Sequence, residues 1–141
     1  MSRLLQIAFV FFFAFAASAQ TLRIQVLDGK TGKPVANEHI NLFANGTLTD
    51  HRGNRDGWGY TTDQSGSFTF SDLTPEIKSF TIYVDWHRPC AKRWLWFDPG
   101  NIRTAGVVSD NTCKPTFESK ATPGTLLFFV REETFFEKMA H

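Results

Sequence analysis

Short runs in which apolar and polar residues alternate constrain this chain more than any other feature. The clearest run is 79–87, and the same alternation recurs at 21–28 and 35–44. A period of two places successive side chains on opposite faces of a strand, so these runs predict half-buried β-strands. The apolar residues expected to face the core are Leu22, Ile24, Val26, Ile40, Leu42, Ala44, Phe80, Ile82, Val84 and Trp86.

Further strands are predicted on both sides of turn-forming residues. The runs 58–62 and 67–71 flank the turn 63–66, which predicts a hairpin between them. Short strands are also expected at 93–97 and 125–131.

Little regular structure is expected in two stretches of the chain. The stretch 98–114 is predicted to be irregular, although its residues 105–109 can pair with a strand. The tail 132–141 can form one or two helical turns. The fold class expected is all-β, an Ig-like β-sandwich of about seven strands with a short helical tail.

The N-terminus has the three parts of a signal peptide. Arg3 gives it a positive start, residues 4–17 are apolar apart from Gln6, and Ala17-Ser18-Ala19 is a small-residue cleavage site. The apolar run is shorter than the roughly 20 residues of a membrane helix. A signal peptide at 1–19 and one domain at 20–141 are therefore predicted, with an uncleaved anchor as the alternative. We expect a secreted or periplasmic protein with no membrane span in its mature chain.

Two cysteines, Cys90 and Cys113, lie in the mature part of the chain. In an exported protein an even pair predicts a disulfide. A metal site is the weaker alternative, because a lone cysteine pair without nearby histidines lacks ligands.

Charge argues against polyanionic partners. The formal net charge is +1, and the signal peptide removes one cation, Arg3. The basic excess of a nucleic-acid binder and the basic patch of a membrane-surface protein are both missing from the sequence.

Two motifs carry a resemblance to a known family. The order Val-Leu-Asp-Gly-Lys-Thr-Gly-Lys-Pro-Val-Ala-Asn at 26–37 resembles the opening of carboxypeptidase-regulatory-like domains, and Thr-Asp-Gln-Ser-Gly-Ser-Phe at 62–68 is similar to their hairpin. The resemblance spans about 21–86 and implies a prealbumin-like (transthyretin-like) sandwich, with no particular activity. The second half is similar to small secreted bacterial proteins.

The enzymes that share a prealbumin-like fold differ from this chain at their functional residues. Intradiol dioxygenases hold iron with two tyrosines and a His-x-His pair, and the chain has no His-x-His. Hydroxyisourate hydrolases carry a Tyr-Arg-Gly-Ser motif that is also missing. We therefore expect a non-enzymatic protein without cofactors.

Two weaker metal hypotheses remain. Asp85 and His87, with Tyr83 beside them, can begin a metal or proton-transfer site if 79–87 is one strand. The loop 52–57 partly matches a calcium-binding loop, but Arg52 stands where calcium requires a carboxylate.

Tryptophans suggest a binding surface. If 93–97 is extended, Trp94 and Trp96 share one face, close to the cations Arg88 and Arg93. Exposed planar aromatics suit sugar rings or a protein partner. The alternative is core packing, or cover by the apolar residues of the tail, namely Phe135, Phe136 and Met139.

The sequence therefore favours an exported, non-catalytic binding or interaction module for an envelope or extracellular protein or glycan. An accessory carbohydrate-binding domain is the alternative. A metal-dependent enzyme built around Asp85 and His87 is less favoured.

Overall fold

The computed structural model describes residues 21–45 and 58–141. The predicted signal peptide and the calcium-like loop at 52–57 lie outside the described residues. In the described part of the chain, no helix has the length and apolar character needed to cross a membrane.

Eight strands and two short helices make up the described chain. They are β1 (Leu22–Asp28), β2 (His39–Ala44), β3 (Trp58–Thr61), β4 (Ser67–Phe70), β5 (Phe80–Val84), β6 (His87–Pro89), α1 (Pro99–Ala105), β7 (Val107–Val108), β8 (Thr125–Glu132) and α2 (Phe135–Met139).

The strands form two facing sheets, which confirms the predicted β-sandwich. One sheet has the order β4-β1-β8-β6, with β7 also paired to β8, and the other has the order β3-β2-β5. β1 pairs antiparallel with β4 and parallel with β8. β5 pairs with β2, and β6 pairs antiparallel with the end of β8.

The main core lies between the two sheets. The alternating residues predicted to face inward on β1, β2 and β5 are buried, and they meet Leu126, Phe128 and Val130 from β8. Full burial of a large apolar side chain contributes about 1.5–3 kcal/mol to stability. The core is therefore the main source of stability of the sandwich.

The predicted hairpin between 58–62 and 67–71 is wrong. The turn itself forms: the Asp63 carboxylate accepts hydrogen bonds from the backbone N–H groups of Ser65 and Ser67, and Gly66 has φ of 73°. β3, however, pairs with β2, and β4 pairs with β1 in the other sheet. The turn therefore carries the chain from one sheet to the other.

The predicted strand 79–87 is also too long. β5 ends at Val84, and β6 begins at His87 in the opposite sheet. Trp86 lies between them with φ of 61° and is more than half exposed, so it does not join the core. The alternation of apolar and polar residues continues through 85–86, and no glycine or proline there indicates that the chain changes sheets.

The segment 93–97 is not a strand beyond a single bridge between Phe97 and Phe80. It nevertheless runs beside the start of β5, because Thr81 donates its hydroxyl hydrogen bond to the carbonyl oxygen of Leu95. This position leaves the end of β5, at 82–84, to line a cleft.

Helix α1 occupies a stretch predicted to be irregular. The Asp98 carboxylate caps it by accepting a hydrogen bond from the Gly100 N–H, and Pro99 stands in its first turn. Both features favour helix initiation. Ile102 is fully buried in the core, and the following strand β7 pairs with β8 within the predicted range 105–109.

The predicted disulfide between Cys90 and Cys113 is confirmed, with Cα atoms 5.4 Å apart. Cys90 is buried in a small second apolar cluster with Leu27 and Phe129. The bond ties the end of β6 to the segment between β7 and β8.

Candidate functional site

A cleft of about 230 Å³ opens at one edge of the sandwich, between the ends of β5 and β6. Its floor consists of core residues of both sheets, and its rim is polar or aromatic. We call it the β5–β6 cleft. Its lining residues are Ile82, Tyr83, Val84, His87, Arg88, Pro89, Trp94, Phe128, Val130, Glu133 and His141.

The cleft lies at the crossing at Asp85 and Trp86. β5 and β6 diverge there into different sheets, and the cleft lies between their ends. Cys90, which the disulfide holds, follows β6 directly, and Trp94 also lines the cleft.

Trp94 lies at the mouth of the cleft, and its indole ring is partly exposed. Its ring stacks on that of Tyr83, with centroids 6.5 Å apart and planes 25° apart. Trp94 is 53% exposed, so about half of its surface is accessible.

A buried carboxylate lies in the cleft wall. The side chain of Glu133 is only 2% exposed, and both of its oxygens lie 3.0 Å from His141 Nε2. Arg88 Nε is farther away, at 3.9 Å. An ionised carboxylate in such a place requires hydrogen-bond donors, and His141 supplies the nearest one.

Helix α2 holds His141 beside the cleft through polar contacts. Thr134 and Glu137 form a reciprocal capping box. Glu137 also lies 2.6 Å from Arg88 Nε and 2.7 Å from Arg131 NH1. The hydrogen bond from Arg131 is the main cause that lowers the pKa of Glu137 to about 2.

The apolar residues of α2 do not cover the tryptophans. Phe135, Phe136 and Met139 are themselves largely exposed, and no residue of α2 is buried. The helix is thus attached by its polar side, and the predicted cover is wrong.

The structure places the predicted binding-surface residues in two groups. Trp94 and Arg88 line the β5–β6 cleft, and together with Arg93 they also line an adjoining depression of about 320 Å³. Trp96 is 41% exposed and lines neither. Core packing is therefore wrong for both tryptophans, whereas Leu95 and Phe97 turn inward.

The strand face expected to unite Asp85 with His87 does not exist. The Asp85 carboxylate lies 3.3 Å from His39 Nδ1, whereas His87 Nδ1 donates to the backbone carbonyl of Asp85 at 2.7 Å. Across 21–45 and 58–141, no three His, Cys, Asp or Glu side chains are grouped as metal ligands.

Sequence reasoning missed Glu133 and His141 as site residues. Glu133 follows the last strand among charged residues, and no local pattern distinguishes it from the exposed Glu132. The available signal is indirect: the Thr-x-x-Glu capping box at 134–137 predicts that a helix begins directly after Glu133.

No family model matches the chain, and no significant match to it was found among curated proteins or solved structures. The resemblance to carboxypeptidase-regulatory-like domains stays a prediction. Function is therefore inferred from the geometry of the cleft.

Proposed function

We propose that this chain is an exported, non-catalytic binding module and that the β5–β6 cleft is its ligand site. One observation carries the proposal: a carboxylate that is almost completely buried, Glu133, stands in an apolar cleft whose mouth presents the half-exposed Trp94. Apolar clefts with a few convergent polar groups and perturbed titratable residues are the usual form of a ligand site.

Binding fits the polar groups of the cleft better than catalysis does. Burial, followed by the charges of Glu133 and Asp85, raises the pKa of Tyr83 above its ordinary value. The phenol is therefore protonated at neutral pH and acts as a hydrogen-bond donor. Arg88 is held by Glu137, and His87 by a backbone carbonyl, so these groups serve to orient a ligand.

A carbohydrate is the second candidate ligand. The exposed part of the Trp94 ring suits stacking against a sugar ring, and Arg88 and Glu133 lie in the same cleft to bond hydroxyl groups. A glycan array separates this candidate from other ligands, because it predicts array hits whose binding requires Trp94.

The site is tested by screening small molecules and glycans against the mature protein, then measuring each hit with two matched variants. Trp94→Ala removes the indole ring at the cleft mouth. It is expected to weaken binding about tenfold or more, because a central aromatic contact typically contributes that much. Trp96→Ala removes a similarly exposed tryptophan outside the cleft and should leave binding within about twofold. Hits whose affinity is unchanged by Trp94→Ala, or is lowered equally by both substitutions, would contradict the assignment of the site.

Export is tested separately by N-terminal sequencing of the extracytoplasmic protein. Cleavage after Ala19 predicts a first residue of Gln20. A chain in that fraction that still begins at Met1 would overturn this part of the proposal.

A further inference from the structure

The buried carboxylate limits which ligands the β5–β6 cleft can accept. Both oxygens of Glu133 lie 3.0 Å from a single nitrogen, His141 Nε2, and the side chain is nearly inaccessible to water. Losing this donor without replacement would leave a buried charge without a hydrogen bond, which is strongly unfavourable. Any ligand that enters this part of the cleft must therefore either leave His141 in place or supply donors of its own.

Of the two residues that form this contact, His141 is easier to displace than Glu133. Its side chain is 46% exposed, and its ring makes an edge contact with Trp86, at 6.3 Å between centroids. It follows helix α2, none of whose residues is buried. Displacing the imidazole therefore exposes little apolar surface, whereas Glu133 is held in the wall at the end of β8.

The rest of the cleft suits an apolar body that carries a positive group. Its floor is formed by Ile82, Val84, Phe128 and Val130, which are almost completely buried and present only hydrocarbon where they line the cleft. Tyr83 and Trp94 add aromatic rings at the side, and ring faces attract ammonium groups.

The cation nearest to Glu133 is paired more closely with another carboxylate. Arg88 Nε lies 3.9 Å from Glu133 but 2.6 Å from Glu137, a partly buried carboxylate that also pairs with Arg131. His87 is 4.0 Å from Glu38 and donates its Nδ1 proton to a carbonyl. Burial is the main cause that raises the pKa of Tyr83; the charges of Glu133 and Asp85 add to the rise, and the charge of Arg88 opposes it.

We propose that the β5–β6 cleft selects ligands that carry an ammonium group on an apolar body. In the free protein the imidazole of His141 occupies the position beside Glu133 that the ammonium group takes when the ligand binds. This rests on the proposed function, because it names the ligand class of the same cleft. Binding exchanges one donor to Glu133 for another, so the buried carboxylate stays paired throughout.

Three probes with one phenylethyl body test the charge preference. These are 2-phenylethylamine, the neutral 2-phenylethanol and the anionic phenylacetate, each titrated calorimetrically into the mature protein. The amine is expected to bind about tenfold more tightly than the alcohol, and phenylacetate most weakly. Equal affinity of amine and alcohol, tighter binding of phenylacetate, or no binding of the amine would overturn the proposal.

Two variants test the exchange at Glu133. His141→Ala removes the competing imidazole and should tighten amine binding severalfold while leaving the alcohol within about twofold, because a competitor lowers apparent affinity only for the ligand that replaces it. Glu133→Gln should abolish the preference for the amine. Weaker amine binding by His141→Ala would contradict the exchange even if Glu133→Gln fails to fold.

A direct readout is the imidazole NMR signal of His141 in the wild-type protein. It should shift with amine addition at the concentration where calorimetry reports saturation, and stay unchanged with the alcohol. If the three probes bind equally and all depend on Trp94, the cleft remains a binding site and only the ammonium preference fails.

Discussion

The core between the sheets and the rim of the β5–β6 cleft are held together by different forces. In the core, Phe70 and Phe80 are fully buried and meet edge to face, with ring centroids 5.3 Å apart. At the rim, by which we mean the segments 86–97 and 133–141 that border the cleft, most large aromatic side chains are exposed, although Phe97 packs in the core. The rim is held by a disulfide, a capping box and the ion pairs of Glu137.

This difference separates stability from binding. Apolar burial supplies most of the folding free energy, so the core tolerates little change. Covalent and ionic restraints hold the rim without burying its tryptophans, which leaves Trp94 available to a ligand. Substitutions in the two regions should therefore differ sharply in their effect on stability.

The largest effect is expected in the core. Phe70→Ala removes a fully buried ring and should lower the free energy of unfolding by about 3–5 kcal/mol. Phe136→Ala is the matched control: its ring is 82% exposed, so the change should be about 0.5 kcal/mol or less. Urea denaturation of both variants measures this contrast, which comparable losses would disprove.

The next largest effect is expected from the disulfide, the strongest restraint near the rim. The bond joins residues 23 positions apart, and replacing Cys90 and Cys113 together should lower stability by roughly 3 kcal/mol. The same loss should appear when the wild-type protein is unfolded under reducing conditions. Unchanged stability in both experiments would show that the rim does not depend on this bond.

A smaller effect, visible only in acid, is expected from the ion pairs of α2. Because the pKa of Glu137 is lowered to about 2 from its ordinary value of 4.5, its contribution is present above pH 4.5. That contribution is lost as the pH falls from 4.5 towards 2. Glu137→Gln should flatten this part of the pH–stability profile, whereas Glu132→Gln, at an exposed neighbouring position, should not. Identical slopes for wild type and Glu137→Gln would contradict the role of these pairs.

The smallest effect on stability is expected for the exposed tryptophans. Since Trp94 and Trp96 are both about half exposed, the double change to alanine should leave the melting temperature within a few degrees of wild type. Failure of the double variant to fold would place these rings in the core and remove the contrast between the two regions.

The sequence predicted the sheets well where alternation ends in a strong turn. β1 is an example: all three residues of the predicted inward face, Leu22, Ile24 and Val26, are buried in the main core, and the turn at Gly29 follows directly. The disulfide was also predictable, because only one pairing of two cysteines exists. In both cases the information that the prediction needs lies in the sequence itself, in a local pattern or in the number of cysteines.

Prediction failed where the chain changes sheets. Alternation continues through Asp85 and Trp86, since a residue can keep its period while its strand partner changes, so the run 79–87 was expected to be one strand. The cleft lies at that crossing, and Glu133 and His141 join it from 47 or more positions away. Only tertiary structure brings these residues together. Helix α1, in contrast, carried a local signal in Asp98-Pro99.

The indole N–H signals of the four tryptophans test the location of the ligand site most directly. They report on the cleft mouth at Trp94, the crossing at Trp86, the nearby rim at Trp96, and the distant strand β3 at Trp58. In a titration of the labelled wild-type protein with 2-phenylethylamine, or with any hit from the screen, the Trp94 signal should move most and the Trp58 signal should not move. A saturating shift at Trp58 or Trp96, with Trp94 unchanged, would place the ligand outside the β5–β6 cleft.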